Sequence, residues 1–219
     1  MPSDPEHLIL APNGSRFRVG AVILAAGGSL RMGDENKLCL PVHGKAMLLH
    51  PVEAAIKAGL SPVRVVIGHE SERIRVLLGD YAVDFIHNPN FSEGLSTSLI
   101  AGLNALDPSL DGVVVCLGDM PRVSAEHLRL LLDCFDPSSD RPICVPIHRS
   151  RRGNPVLWPR AYFDSIRNLA GDRGARALIE KNSGRVTFVE VADDGILVDV
   201  DSPADLDAED ALPRHDGSR

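Results

Sequence analysis

VGAVILAAGGSLRMGDENK, residues 19–37, is the stretch whose reading decides the fold. Val22, Ile23 and Leu24 form a short apolar run with β-branched members, the pattern of a buried strand. The run leads into Ala25, Ala26, Gly27 and Gly28, four small residues that let another group approach the backbone. The two glycines also accept positive φ at little cost. Ser29, Arg31 and Lys37 then add a hydroxyl and two cations. A strand, a bare backbone turn and cations are the equipment for holding a polyphosphate.

Two familiar phosphate loops do not fit. Gly28 and Gly33 have P-loop spacing, but Asp34 and Glu35 stand where that loop needs Lys and Ser/Thr. A dinucleotide fingerprint needs G-x-G-x-x-G directly after the strand, and here the glycines are adjacent. The plainer reading of the same residues is a tight strand–helix turn with a solvated Lys37.

Outward from this stretch, strand and helix patterns alternate. Helical spacing over 46–58 stops at Gly59, and a β-branched strand over 63–67 ends at Gly68. A helix over 70–78, a strand over 83–86 and a helix over 96–106 follow. Next come a strand over 113–117 and a helix over 124–133 capped by Ser124. Shorter strands are expected near Ile143 and Val156, with helices over 161–168 and 175–181. A strand over 186–191 and a helix opened by Ser202-Pro203 close the pattern. The expectation is an α/β fold: a single Rossmann-like domain over 18–212, its mainly parallel sheet flanked by helices. Residues 1–17 read as a loose extension that adds an edge strand, and 213–219 as a flexible tail. In such sheets ligands bind beyond the carboxyl ends of the strands, so the residues just after each strand are the ones to weigh.

Composition narrows the function classes. The 219 residues are 44% hydrophobic and 24% charged, enough for one full core. A net charge of −7 offers no basic face to nucleic acid. No apolar run approaches the roughly 20 residues of a membrane span. Asp4 and Glu6 stand where a secretory signal carries cations, which predicts a cytoplasmic protein. Cys39, Cys116, Cys134 and Cys144 form no C-x-x-C and read as reduced structural thiols. The eight histidines form no H-x-x-x-H pair, which leaves a zinc site unsupported.

Several constellations carry chemistry. VVVCLGDMP, residues 113–121, delivers Asp119 at the end of a buried strand. One or two carboxylates completed by phosphate oxygens and water suit Mg²⁺, although Asp119 before Pro121 is also an ordinary turn. In DVDSPAD, residues 199–205, strand alternation puts Asp199 and Asp201 on one face. Capping by Ser202 and a favourable helix dipole would equally account for these acids. In NPNFSEGLSTS, residues 88–98, Asn88 ends a strand, while Gly94, Ser96 and Ser98 cluster at a helix start that welcomes an anion. The segment lacks the final glycine of a hydrolase elbow. RSRRGNP, residues 149–155, and GDRGAR, residues 171–176, are a basic loop and a glycine-flanked helix start. Both suit an anionic acceptor, and both would also pass as solvated surface.

LAAGGSLRMGDENKLCLPVHGKAML, residues 24–48, resembles the signature of nucleotidyltransferases that load a nucleotide onto a phosphorylated acceptor, L-A-A-G-x-S-x-R-M-G…K-L. Within that superfamily the chain looks most like the molybdenum cofactor cytidylyltransferases. The double alanine Ala25-Ala26 matches members that use CTP; guanylyltransferase relatives typically read L-A-G-G there. The resemblance runs over residues 19–206 and implies transfer of CMP from CTP to the terminal phosphate of molybdenum-bound molybdopterin, with Mg²⁺ as cofactor. It implies Arg31, Lys37 and Asp119 as catalytic residues, and Asp119 and Asp201 as metal contacts. Leu24, Ala25, Ala26, Gly27, Gly28, Ser29, Gly68, Asn88, Gly94, Ser96 and Ser98 would hold the nucleotide; Arg152, Asn154 and Arg176 would hold the acceptor. CTP and a molybdopterin-type phosphate are the expected partners, with a client molybdoenzyme or its chaperone open and neither nucleic acid nor membrane expected. GTP, another phosphorylated acceptor, a carrier or chaperone role for molybdenum cofactor, and a degenerate nucleotide sensor remain the alternatives.

Overall fold

The computed structural model describes residues 8–10, 16–28, 36–140, 142–169 and 175–211. β1 (Ile9–Leu10) and β2 (Arg16–Phe17) form an antiparallel ribbon, and β3 (Val19–Ala25) follows at once. β4 (Pro41–Val42) and β5 (Lys45–Ala46) make a small hairpin before α1 (Leu49–Lys57). β6 (Val63–Ile67), α2 (Ser71–Leu77), β7 (Asp84–His87), α3 (Leu95–Asn104), β8 (Gly112–Leu117) and α4 (Ala125–Asp133) alternate as the sequence leads one to expect. The second half holds β9 (Ile143–His148), β10 (Arg151–Arg152), β11 (Val156–Pro159), α5 (Phe163–Arg167), α6 (Arg176–Lys181), β12 (Val186–Glu190) and α7 (Pro203–Asp210).

The main sheet runs β10-β9-β11-β8-β3-β6-β7, with β12 paired to β9. The β8–β3, β3–β6, β6–β7 and β12–β9 pairs are parallel; β11 runs antiparallel to β8 and β9, and β10 to β9. The result is an α/β domain with a mostly parallel sheet.

Both faces of that sheet are covered, which is why its central strands read as unbroken apolar runs. Along β3 the side chains alternate: Ala21, Ile23 and Ala25 pack under α1 and α4, while Val22 and Leu24 pack under α3. β8 repeats this, with Val114 and Cys116 on one face and Val113 and Val115 on the other. Leu128, Leu131 and Leu132 of α4 close the first layer; Leu99 and Leu103 of α3, with Phe163 and Ile166 of α5, close the second.

Several expectations need correction. Among the described residues the N-terminal segment does not extend the main sheet: β1 pairs with β2 in a separate two-stranded sheet. Phe17, inside the expected extension, is buried with its ring edge-on to Phe135 at 5.1 Å. Residues 46–48 are not helical, since β5 pairs back on β4 before α1 starts. No strand carries residues 199–201; Val200 is fully buried and its N–H donates to the Asp119 carbonyl at 3.0 Å. Ser124 does cap α4, with His127 returning the bond to the Ser124 N–H at 3.3 Å.

Gly102 shows how tightly α3 lies on the sheet: a Cβ there would meet Val22 Cγ1 at 2.5 Å and Val66 Cγ2 at 3.0 Å. In an exposed helix Gly→Ala gains about 1 kcal/mol, but overpacking costs about 1–3 kcal/mol. Gly102→Ala is therefore expected to lower the urea midpoint of unfolding; an unchanged or higher midpoint would show that α3 can lift off the sheet without penalty.

Candidate active site

A cavity of about 690 Å³ opens at the carboxyl ends of β3, β6 and β8. Its floor is the end of β3, Leu24 to Gly28; its walls include Lys37, His69, Phe91, Ser92, Gly94, Ser98, Asp119, Asp199 and Asp201. The volume lies within the range of small-molecule sites.

Lys37 is set by the 3-10 turn Lys37–Cys39, which Asn36 caps through its side-chain oxygen and the Leu38 N–H, at 3.1 Å. Asn36 and Leu38 are buried, so the turn is fixed from below. Asp119 is delivered by β8: the Gly118 N–H donates to the Leu24 carbonyl at 3.0 Å, extending the ladder past the strand's end. Only glycine fits at Gly118, since a Cβ would come within 2.9 Å of that same carbonyl. Asp201 arrives on the segment that opens α7. Ser202 caps the helix, and the Asp205 carboxylate accepts from the Asp201 and Ser202 N–H groups at 3.2 and 2.8 Å. The far end of α7 is anchored by buried Glu209, which accepts from Arg122 Nε at 2.6 Å and contacts His43 Nε2 at 3.3 Å.

These supports converge on one ammonium. Lys37 Nζ donates to Asp119 Oδ2 at 2.7 Å, to Asp201 Oδ1 at 2.7 Å and to the Val200 carbonyl at 3.0 Å. Burial works to lower the lysine's pKa, but the field and hydrogen bond of Asp119, followed by those of Asp201, outweigh it and hold the group above its ordinary 10.5. The contacts set one ammonium against two carboxylates among the described residues. Among the described residues no group of three or more His, Cys, Asp or Glu side chains is arranged to hold a metal ion. Asp119 and Asp201 offer hard oxygen donors, the kind that suits a Mg²⁺ completing its shell with phosphate oxygens and water.

A second cavity of about 270 Å³ adjoins the first and shares Leu24, Leu95 and Leu117 with it. Arg152, Asn154 and Arg176 line it over an apolar floor that includes Val145, Val156, Trp158 and Ile179. The Gly153 N–H donates to the Pro146 carbonyl and the Asn154 N–H to the Ile196 carbonyl, both at 2.9 Å, which fixes the loop.

Of the residues expected from sequence, Leu24 to Gly28, Lys37, Gly94, Ser98, Asp119 and Asp201 meet in the first cavity, and Arg152, Asn154 and Arg176 in the second. Ser29 and Arg31, like 171–174, lie outside the described residues. Asn88 does not face the cavity. Its Nδ2 donates to Thr97 Oγ1 and Ser98 Oγ, both at 2.9 Å, bracing the start of α3, and its Oδ1 accepts from the Asn90 N–H at 3.0 Å within its own loop. Buried Ser96 is likewise off the lining, and Gly68 is small because a Cβ would strike the Phe91 ring at 2.8 Å. His69 and Phe91, ring centroids 6.1 Å apart, form an aromatic wall that the motif reading missed. The position of His69 just after β6 was the available signal.

Comparison with known proteins follows this geometry. Residues 21–186 match the family model described as the MobA-like NTP transferase domain. The purine catabolism protein PucB of Bacillus subtilis is 29% identical over 88% of this chain and 96% of its own length. Nicotine blue oxidoreductase of Paenarthrobacter nicotinovorans is 26% identical over 84% and 92%. The crystal structure of Rv0371c from Mycobacterium tuberculosis covers 90% of this chain and 99% of its own, with a TM-score of 0.75 and 28% identity; a manganese complex of that protein matches with a TM-score of 0.71 and 26% identity over 89% and 100%.

Because folding raises the Lys37 pKa, the stability it contributes is complete below 10.5 and is lost as pH rises through the higher folded value. Over the window that begins near pH 10.5 and runs upward, the stability advantage of the wild type over a Lys37→Met variant is expected to shrink. A constant difference across that window, in urea titrations, would contradict the clamp.

Proposed function

The chain belongs to the MobA-like NTP transferase family and is a nucleotidyltransferase, and on that premise we propose that it transfers CMP from CTP to the terminal phosphate of molybdenum-bound molybdopterin. The observation that carries the reading is the Lys37–Asp119–Asp201 cluster in a nucleotide-sized cavity that adjoins a second cavity rimmed by Arg152, Asn154 and Arg176. CTP is favoured by Ala25-Ala26 at the cavity floor and by the resemblance of residues 24–48 to CTP-using members.

In this reading the backbone of Ala25 to Gly28 approaches the triphosphate, and His69 and Phe91 flank the nucleoside. Arg152 and Arg176 hold the acceptor's anionic end, Asn154 orients it, and the apolar floor takes its ring system. An oxygen of the acceptor phosphate attacks the α-phosphorus of CTP; the bond from that phosphorus to the bridging oxygen breaks, and pyrophosphate leaves. A phosphate monoester is already anionic at neutral pH, so the chain has no need of a nucleophilic side chain or strong base. Its contribution is alignment and charge neutralisation. Asp119 and Asp201 would hold Mg²⁺, which when bound neutralises phosphate charge; the manganese complex of Rv0371c supports a divalent ion here. Lys37 faces the same phosphates and stabilises the departing pyrophosphate, a role the signature also gives Arg31. The product would pass to a client molybdoenzyme or its chaperone. A cytoplasmic setting suits Cys116 and Cys144, buried thiols whose pKa is pushed up to about 12 by desolvation.

Pyrophosphate release by the purified protein, with Mg²⁺ and molybdenum-loaded molybdopterin, is to be compared across CTP, GTP, ATP and UTP. Release confined largely to CTP is expected. Release with GTP would move the protein to the sister activity. Silence with all four would replace the acceptor or leave a carrier role.

A further inference from the structure

The Lys37 ammonium donates to Asp119 Oδ2, Asp201 Oδ1 and the Val200 carbonyl. The two carboxylates come from the end of β8 and from the segment ahead of α7, and both line the nucleotide-sized cavity together with the lysine. The Lys37 side chain is 13% exposed, against 22% for Asp119 and 44% for Asp201, so the cation is the least exposed of the three. Without a cation between them, two like charges on separate segments would push the 199–201 segment away from β8.

The same two carboxylates are those assigned above to the divalent ion, and this inference rests on that assignment. We propose that Lys37 is the counter-cation of the Asp119–Asp201 pair before nucleotide binds: its ammonium closes the pair to free divalent metal and releases it when a nucleotide polyphosphate draws the lysine away. Three arguments support this. A divalent ion that approaches the pair alone meets a fixed positive charge at hydrogen-bond distance from both acids, in a partly buried setting where screening is weak. A triphosphate offers the ammonium several anionic oxygens in the cavity the lysine already lines. Each carboxylate oxygen that gives up the lysine becomes a ligand for the metal, so the exchange conserves charge pairing at each step. Metal and nucleotide then enter as one complex, and by linkage each tightens the binding of the other.

The test is Mn²⁺ binding by the full chain, read from the electron paramagnetic resonance of the free ion. It is run without nucleotide and with α,β-methylene CTP, which cannot be turned over. Without nucleotide, Lys37→Gln is expected to bind Mn²⁺ at least tenfold more tightly than wild type. Lys37→Arg, which keeps the charge, should stay within about threefold of wild type, as should Lys57→Gln, which removes a cation on α1 paired with Glu53. The analogue should raise wild-type affinity and narrow the gap to Lys37→Gln. Equal affinity of Lys37→Gln and wild type without nucleotide would overturn the proposal. So would wild-type Mn²⁺ affinity that the analogue leaves unchanged, a measurement that needs no variant. Loss of binding in Asp119→Asn alongside an inert Lys37→Gln would sink the lysine proposal alone. Wild-type binding by Asp119→Asn with the analogue would remove the metal assignment and this inference with it.

Discussion

One ammonium that holds two carboxylates from distant parts of the chain is the constraint around which the domain is arranged. Lys37 lies 82 positions before Asp119 and 164 before Asp201, so the contact forms only when β3, β8 and the C-terminal segment are all in place. Each support of the clamp is a piece of ordinary fold chemistry. The β3–β8 ladder runs one residue past the strand through Gly118, and buried Val200 pins the final segment to the Asp119 carbonyl. At the other end, the Ser202–Asp205 capping box and the Arg122–Glu209 pair hold α7 at both ends. The fold delivers charged groups to a point just beyond the sheet, where backbone and side chains of several strands converge.

That placement accounts for the kind of chemistry available. A site lined by a lysine and three aspartates, with a glycine-bearing backbone turn beside them, is equipped to handle anions and the cations that accompany them. Phosphoryl and nucleotidyl transfer need little else, because the reacting groups bring their own nucleophile and leaving group. The adjoining cavity with its arginine rim is where the proposed second substrate would sit. Leu24, Leu95 and Leu117, common to both cavities, mark the junction at which the two substrates would meet.

Much of this was legible in the residues, and what was not has physical reasons. β3 and β8 announce themselves because strands buried on both faces must be apolar throughout, and the small residues after β3 and the lone acid after β8 stand out against that run. Lys37, Asp119 and Asp201 were readable as a set, but their mutual contact was not, since no local pattern encodes a pairing across 164 residues. Asn88 misled for a related reason. An asparagine at a strand end looks the same whether it faces a ligand or its own loop, and its partners Thr97 and Ser98 belong to the following helix. The alternation of Asp199 and Asp201 imitated a strand, yet both acids reach the cavity from irregular backbone fixed by Val200. The short β4–β5 hairpin escaped because its two-residue strands carry too little periodicity to read. His69 and Phe91 were hidden by being unremarkable residue types in an expected place.

Asp119 is where these dependencies meet, as the end of a core strand, a partner of Lys37 and a carboxylate in the cavity. The most direct measurement is pyrophosphate release by Asp119→Ala alongside its unfolding curve. The account predicts turnover reduced by about a hundred- to a thousandfold, as for loss of a main electrostatic group, in a protein that still unfolds cooperatively. Turnover within tenfold of wild type in a folded Asp119→Ala protein would contradict it.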